Sequence, residues 1–403
     1  MIICPARNTF VLHRTASAFC RSGNQSMPRR ALHASISQTS APVSPRVAVL
    51  YQALEPPLID GIQKPKKPGG YQDSGADIAF NLGRGGIDVI TPSENPNPAD
   101  MTGWCFPDTE EGILRALRQG VTHLWANTIL FAAHPLQQSR VIAKFENTLR
   151  VVGQGPLIVQ KYDDKEYVND LLRQLGGFTM PRAWTVTEKH DIATVFKEAE
   201  FPLVGKPIRG RGSQGVKLCY TLDDLIAHGH ALLRQSSSFL VEEYLSGEEV
   251  TVTVMPPAQI DSHRDYWCLP VVARYNHADG IAPYNGVVAV VANSRVLSQS
   301  EEEKDPHYSQ LKKECEQVGR VLGVTAPIRI DCRRYKDSNE SRFALFDVNM
   351  KPNMTGPGRP GRDDQASLTL LASGGLGWDY LTLLRNILDS AQTLKTLKSL
   401  QPR

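Results

Sequence analysis

Two short segments late in the chain carry carboxylates at a spacing that suits a divalent cation. Arg329-Ile330-Asp331 and Phe346-Asp347-Val348-Asn349-Met350-Lys351-Pro352-Asn353 both read as strands. Alternation along a strand then puts Arg329 with Asp331 on one face, and Asp347 with Asn349 on one face. Two carboxylates and an amide oxygen are the hard ligands that Mg²⁺ (or Mn²⁺) takes when it also bridges phosphates. An arginine beside them can stabilise the oxyanion of a tetrahedral intermediate. The bland alternative is a polar sheet face held by salt bridges.

Two earlier segments could serve a nucleotide. Gly205-Lys206-Pro207-Ile208-Arg209-Gly210-Arg211-Gly212-Ser213-Gln214-Gly215 places four glycines in a turn between strands, with Lys206 as a fixed positive charge at the end of the first. Such a turn frees the backbone to wrap around phosphate. It is not a Walker A loop, since Gly-Lys-Ser/Thr is missing, and not a Rossmann turn, since no helix follows. Taken alone it could equally be a hairpin loop. Further on, Val241-Glu242-Glu243-Tyr244-Leu245-Ser246-Gly247-Glu248-Glu249 offers a strand edge that could read an adenine and carboxylates that could hold ribose hydroxyls. By itself an acidic turn is usually solvated; the pairing with the glycine loop gives it weight.

These segments need a scaffold, and the hydrophobic pattern supplies one. Val47 to Tyr51 reads as a buried first strand, followed by a Pro- and Lys-rich loop from Glu55 to Gly70. A helix over Ser74 to Arg84, a strand at Ile87 to Ile90, a helix near Glu110 to Gln119 and a strand at Val121 to Trp125 alternate, which predicts a parallel α/β domain. From Tyr162 the pattern becomes a small α+β unit. Beyond it, Glu249 to Met255, Tyr266 to Tyr275, Tyr284 to Val291, Ala326 to Tyr335 and Arg342 to Asn349 read as antiparallel strands, with a helix at His307 to Leu322. A closing helix pair is expected within Gln365 to Leu388, and a frayed tail over Lys395 to Arg403.

In order and spacing the three segments resemble the ATP-grasp superfamily, and look most like the D-alanine:D-alanine ligase group. The likeness covers roughly Tyr162 to Leu388 and is strongest at Val241 to Val252 and at Asp347 to Thr355, which ends in Pro352-Asn353-Met354-Thr355. It implies an α/β plus α+β chain: an N-terminal parallel α/β domain (45–160), a small central α+β lid (161–245) and a C-terminal antiparallel domain with the metal site (246–390), between a leader (1–40) and a tail (391–403).

By position, the resemblance puts Lys165 and Lys206 on the ATP phosphates under the glycine loop with Ser213 and Gly215. It puts Glu242, Glu243 and Leu245 on the adenine, and Glu249 on the ribose. Asp331, Asp347 and Asn349 take the metal positions, and Arg329 faces the reacting carboxylate. The implied chemistry is phosphorylation of a carboxylate by ATP, then attack of an amine on the acylphosphate. An ATP-grasp small-molecule kinase, or a nucleotide-binding regulatory protein without turnover, are the competing readings.

Departures bear on the substrate. The Gly-Gly-x-Ser-x-Glu segment with which dipeptide ligases hold their first D-alanine has no counterpart in Val47 to Gly70. Asp347 stands where the ligases usually carry Glu. Arg359 and Arg362, after the metal motif, could bind substrate carboxylates or face solvent. Arg274, His277 and Asn285 lie where related ligases close a loop over the phosphates, although a lone loop histidine more often has no such role.

The bulk composition agrees with an ordinary folded globular protein. The chain has 403 residues, 41% hydrophobic and 22% charged, and no apolar run approaches the roughly 18 to 20 residues that cross a bilayer. The formal charge of +3 becomes −2 once Arg7, Arg14, Arg21, Arg29 and Arg30 are set aside, so nucleic acid is not an expected partner. Small-molecule carboxylate and amine substrates are, and a homodimer is allowed. Residues 1 to 54 contain no Asp or Glu, and Arg30 to Ser35 resembles a mitochondrial processing site. A mitochondrial matrix destination follows as an expectation, and a cytoplasmic one if the leader is not a signal. The seven cysteines are scattered, without a zinc or disulfide pattern.

Overall fold

The computed structural model describes residues 44–403 except 60, 210–213, 259–263 and 278–289, with only the backbone at 62. The expected leader therefore lies outside the described residues. Three sheets organise the described chain.

The first sheet is built on Arg46–Tyr51, which pairs in parallel with Asp88–Val89, Phe106–Pro107 and His123–Asn127, and through the last with Arg150–Val152. Both of its faces are covered, so its central strand is a continuous apolar run. Val47 and Val49 pack toward the helix Gln72–Arg84 and the helix Tyr380–Asp389, while Ala48 and Leu50 pack toward the helix Glu110–Arg118. That last helix starts at Thr109, which caps it by accepting from the Gly112 N–H, with Glu110 and Glu111 in its first turn and Arg115 and Arg118 in its last. Each charge complements the helix dipole.

The expected frayed tail is corrected by the structure. Gln392–Thr393 joins this sheet as an antiparallel edge strand on Arg150–Val152, and Leu394–Ser399 forms a helix capped by Thr393. Leu394 and Leu397, three apart and so on one face, are buried in the core below it. That burial offsets the entropy that would otherwise favour fraying.

His123, at the start of its strand, has its imidazole pushed down to about 4, by burial first and then by the neighbouring Arg150. Between that value and its unfolded pKa near 6.5 the unfolded chain binds the extra proton, so its contribution to stability is complete above pH 6.5 and lost as pH falls toward 4. Urea unfolding of wild type and His123→Asn at pH 7.5, 6.5, 5.5 and 4.5 should therefore show a shallower acid decline in the variant. Parallel profiles would refute this.

The second sheet is antiparallel throughout, in the order Lys217–Cys219, Leu203–Pro207, Ser238–Glu243, Ala183–Thr187. The helices Ile192–Phe196 and Leu222–Leu233 cover one of its faces. The third sheet runs Ser294–Val296, Val272–Arg274, Glu249–Met255, Ile328–Arg334, Phe343–Asn349, with Trp267–Cys268 also on Glu249–Met255. The expected strand over Tyr266 to Tyr275 is thus two pieces, interrupted at Pro270, which lacks a ladder donor. Of the strand expected at Tyr284 to Val291, 284–289 lie outside the described residues. Val290–Asn293 is a helical turn and Ser294–Val296 the strand.

One face of the third sheet is apolar. Val250, Val252, Val254, Ile328, Ile330, Cys332 and Val348 pack on Leu311, Cys315 and Val318 of the helix Pro306–Leu322, which is capped by Asp305 at one end and by left-handed Gly323 at the other. Strand alternation sends the intervening residues to the opposite face, which makes the candidate site.

Candidate active site

In the ladder between Ile328–Arg334 and Phe343–Asn349, Asp331 lies directly opposite Asp347, and Arg329 opposite Asn349. All four therefore share the face turned away from the helix. Arg329 grips the Asp331 carboxylate with two bonds of 3.0 Å each, and the Thr251 hydroxyl (2.6 Å) and Asn349 Nδ2 (3.2 Å) also donate to it. Burial would raise its pKa. The Arg329 and Arg274 charges and the Thr251 hydrogen bond outweigh burial and hold the carboxyl below the usual range. A bulge beside this pair leaves Phe346 without a ladder partner and re-aims it into the cleft, among the residues lining it.

Two lysines meet the acidic face. Lys165 is the first residue of the helix Lys165–Leu175, where a cation opposes the helix dipole. Asp347 Oδ2 accepts from its ammonium at 2.6 Å. Burial lowers the Lys165 pKa, but the Asp347, Asp331 and Glu242 carboxylates more than offset this and leave it raised. Asp347 Oδ1 is buried with no hydrogen-bond partner among the described residues. Lys206, on the second sheet, reaches Glu242 Oε2 at 2.6 Å, with both side chains nearly enclosed, and donates to the Phe346 carbonyl at 3.2 Å.

The remaining predicted residues fall as follows. Glu249 is buried and holds His277 Nε2 at 2.9 Å, with Arg333 near it. Glu243 pairs with Arg182 on the outer edge, Leu245 is buried, and both line the cleft with Arg274 and Arg329. Gly215 sits at φ 76° at the end of the glycine loop, its carbonyl against His228. Ser213 and Asn285 lie outside the described residues. Residues of the second and third sheets, with Lys64, Tyr71, Ile129 and Val159 from the N-terminal part, line a cleft of about 1580 Å³, open mouth included.

The solvent-facing alternative for Arg359 is corrected: Arg359 is 2% exposed and bonds Asp77 Oδ1 at 2.7 Å. Arg362 adds bonds of 2.8 Å to both Asp77 oxygens. Asp77, fully buried on the helix Gln72–Arg84, draws both guanidiniums inward because a buried carboxylate is costly unless paired.

Other cleft residues were not singled out by sequence. Arg333 lies two residues beyond Asp331 on the same face, a signal that alternation provides. Lys351, two past Asn349, had none beyond its proximity. Lys64 and Tyr71 come from a segment that reads as a plain loop; Lys64 Nζ bonds Asp163 at 2.6 Å. The Gly69-Gly70 doublet at the end of that loop leads into the helix Gln72–Arg84, with Gln72 and Ser74 where the pattern has Ser and Glu.

The donor set fits a small hard cation. It offers two carboxylates and an amide, one carboxylate oxygen being buried and unpartnered. Among the described residues no group of three or more His, Cys, Asp and Glu forms a cage.

Comparison with known proteins now decides the family. The model of the D-ala D-ala ligase C-terminus matches residues 177–389, more than half of the chain. The chain belongs to the D-alanine–D-alanine ligase family. Its fold is the ATP-grasp fold, and the family places it among the ATP-dependent ligases that form carbon–nitrogen bonds. The D-alanine–D-alanine ligase of Aquifex aeolicus is 26% identical over 227 residues, 56% of this chain and 68% of that one. Its counterpart in Chromohalobacter salexigens is 26% identical over 238 residues, 59% and 68% of the two. Among solved structures, the Bacillus anthracis D-alanine–D-alanine ligase complexed with ATP superposes with a TM-score of 0.58 at 18% identity, covering 88% of this chain and 98% of that one. The VanG D-Ala:D-Ser ligase of Enterococcus faecalis does so with 0.55 at 13% identity, covering 85% and 98%. These two likenesses are of fold.

Proposed function

We propose that this family member is an ATP- and Mg²⁺-dependent carboxylate–amine ligase acting through an acylphosphate. Asp347 carries the reading: a carboxylate with one oxygen on the Lys165 ammonium and the other buried without a partner among the described residues, opposite a second carboxylate and near an arginine. Asp331, Asp347 and Asn349 would hold the cation, which when bound screens the charge between phosphates and the attacking carboxylate.

The chain's own groups account for the rest. Lys165 and Lys206 bring two ammoniums to the cleft, and on nucleotide binding their carboxylate partners give way to phosphate oxygens. A substrate carboxylate oxygen attacks the γ-phosphorus and the bond to ADP breaks. The amine nitrogen then attacks the acyl carbon, loses its proton, and inorganic phosphate leaves with the electron pair of the C–O bond. Arg329, fixed by Asp331, offers its charge where the oxyanion develops. Positioning and charge suffice, so no protein nucleophile is needed.

The test is ADP release by the full chain with ATP, Mg²⁺ and pooled L- and D-amino acids. The expected result is ADP that requires both the pool and Mg²⁺. Acid-dependent ADP formed without any amine consumption would favour the kinase instead, and ATP binding without ADP under any pool would favour the regulatory reading. We also propose that residues 1–40 direct the protein to mitochondria, on the arginine-rich, acid-free composition alone. A fluorescent protein fused behind residues 1–40 should enter mitochondria, and a diffuse cytoplasmic signal would reject the proposal.

A further inference from the structure

Asp163, Asp164 and Lys165 are consecutive, and each meets a different part of the chain. Lys64, from the segment between Tyr51 and the helix Gln72–Arg84, donates to Asp163 at 2.6 Å. Arg209, in the glycine loop that leaves the second sheet, pairs with Asp164 at 2.9 Å. Lys165 donates to Asp347 of the third sheet at 2.6 Å. The middle pair differs from the other two in its place. Lys64, Asp163, Lys165 and Asp347 all line the cleft, whereas neither Asp164 nor Arg209 does.

Both carboxylate oxygens of Asp164 are committed. Oδ1 accepts from the Tyr167 N–H at 3.0 Å and so caps the helix whose first residue is Lys165. Oδ2 accepts from Arg209 Nη2 at 2.9 Å. Arg209 is 8% exposed and stands three residues beyond Lys206. The base of its loop is held by His228, whose Nε2 lies 3.3 Å from the Gly205 carbonyl and 3.0 Å from the Gly215 carbonyl. His228 belongs to the helix Leu222–Leu233, which covers the second sheet itself, so it fixes the loop only to its own sheet. Asp164 ties the same loop across to the helix that presents the other lysine. One carboxylate thus joins the backbone segments that carry Lys165 and Lys206, the two ammoniums assigned to phosphate.

We propose that Asp164 and Arg209 are a positioning pair that sets the spacing between Lys165 and Lys206 for a nucleotide's phosphates. A charge-assisted bond between two oriented partners fixes direction as well as distance, and moving a binding group by about 1 Å can cost on the order of 100-fold. The pair stands outside the cleft lining, so it acts through the lysines. The residues assigned to adenine, Glu242, Glu243 and Leu245, belong to the strand Ser238–Glu243 and the turn after it, so the adenosine part of the ligand should not sense the pair. The inference rests on the ATP reading of the two lysines.

The test measures dissociation constants for ATP with Mg²⁺, and for adenosine, by calorimetric titration of the full chain, Asp164→Asn, Arg209→Gln and the double variant. Asparagine caps a helix about as well as aspartate, so Asp164→Asn removes the charge and keeps the helix start. The double variant strands no buried charge, so it guards against a single variant that fails to fold. The ATP constant should rise about tenfold in each single variant, the scale on which partners that orient a ligating group act. It should rise by the same factor in the double variant, and not about a hundredfold, because the second substitution removes a partner already lost. Adenosine should bind all four proteins alike. Asp170→Asn, which breaks the half-exposed pair with Arg173 on the same helix, should leave the ATP constant unchanged. Wild-type ATP affinity in the single variants overturns the proposal, as does a rise that adenosine shares. Effects that multiply in the double variant give the two residues separate roles and overturn it as well. A wild-type chain that binds no ATP rejects the nucleotide reading itself, a failure distinct from unaltered affinity in the variants.

Discussion

Asp347→Asn should reduce ADP formation at least about 100-fold, the scale on which removing one charge-stabilising group from a preorganised site acts, and leave the unfolding midpoint close to wild type. The two halves of this expectation have separate causes. On the proposed function, catalysis loses a cation ligand, since an amide in place of the carboxylate removes a charge that would balance Mg²⁺. Stability changes little because the wild-type carboxylate is itself a compromise. Its Oδ2 is well served by Lys165, but its Oδ1 is buried without a partner among the described residues, a defect worth about 1–3 kcal/mol where it occurs. Asparagine still accepts from Lys165 through its oxygen, and Asp331 and Glu242 remain as counter-charges for that ammonium. The check is a kinetic assay paired with chemical denaturation. A variant that loses activity only because it has unfolded would show a collapsed midpoint, and would assign Asp347 to the fold instead of the site.

Asp77→Ala should have the opposite profile: a loss of about 3–5 kcal/mol of stability, the usual cost of stranding buried partners, and a secondary loss of activity. Asp77 is the shared acceptor of Arg359 and Arg362. Burial works against the Arg362 charge, but the Asp77 carboxylate more than offsets it and raises the guanidinium's pKa. Arg359 keeps carbonyl acceptors at Asp73 and Asp100 after the substitution, yet neither carries charge. The clamp ties the helix Gln72–Arg84 to the loop that follows the strand carrying Asp347 and Asn349, so its release should loosen Asn349 and Lys351 as well. Urea unfolding gives the stability term, and a fall in kcat with the ATP KM nearly unchanged would show the coupling. A midpoint within experimental error of wild type would rule the clamp out.

The sequence was most informative where one period dominates. Alternation along Ile328–Arg334, and within Asp347 to Asn349 beyond the bulge, put Arg329 with Asp331 and Asp347 with Asn349; the ladder then set the two pairs opposite one another. In the first sheet, Val47 to Tyr51, Ile87 to Ile90 and Val121 to Trp125 were legible as apolar runs, whereas Phe106–Pro107 and Arg150–Val152 were not. What stayed hidden depends on contacts distant in sequence. Arg359 and Arg362 find their carboxylate more than 280 residues away, and nothing local distinguishes that outcome from a solvated loop. Tyr71 joins Lys351 only because a long, proline-rich loop returns to the sheet. The edge strand Gln392–Thr393 is two residues long, below the length at which a period can be recognised.

That edge strand also fixes an order of events during synthesis. Arg150–Val152 leaves the ribosome well over 200 residues before Gln392–Thr393, its antiparallel neighbour, so the N-terminal sheet spends most of translation with one flank unsealed. An open strand flank is a template for pairing with other chains. The growing polypeptide is thus most prone to sticking to its neighbours after its first sheet has formed and before its last residues arrive.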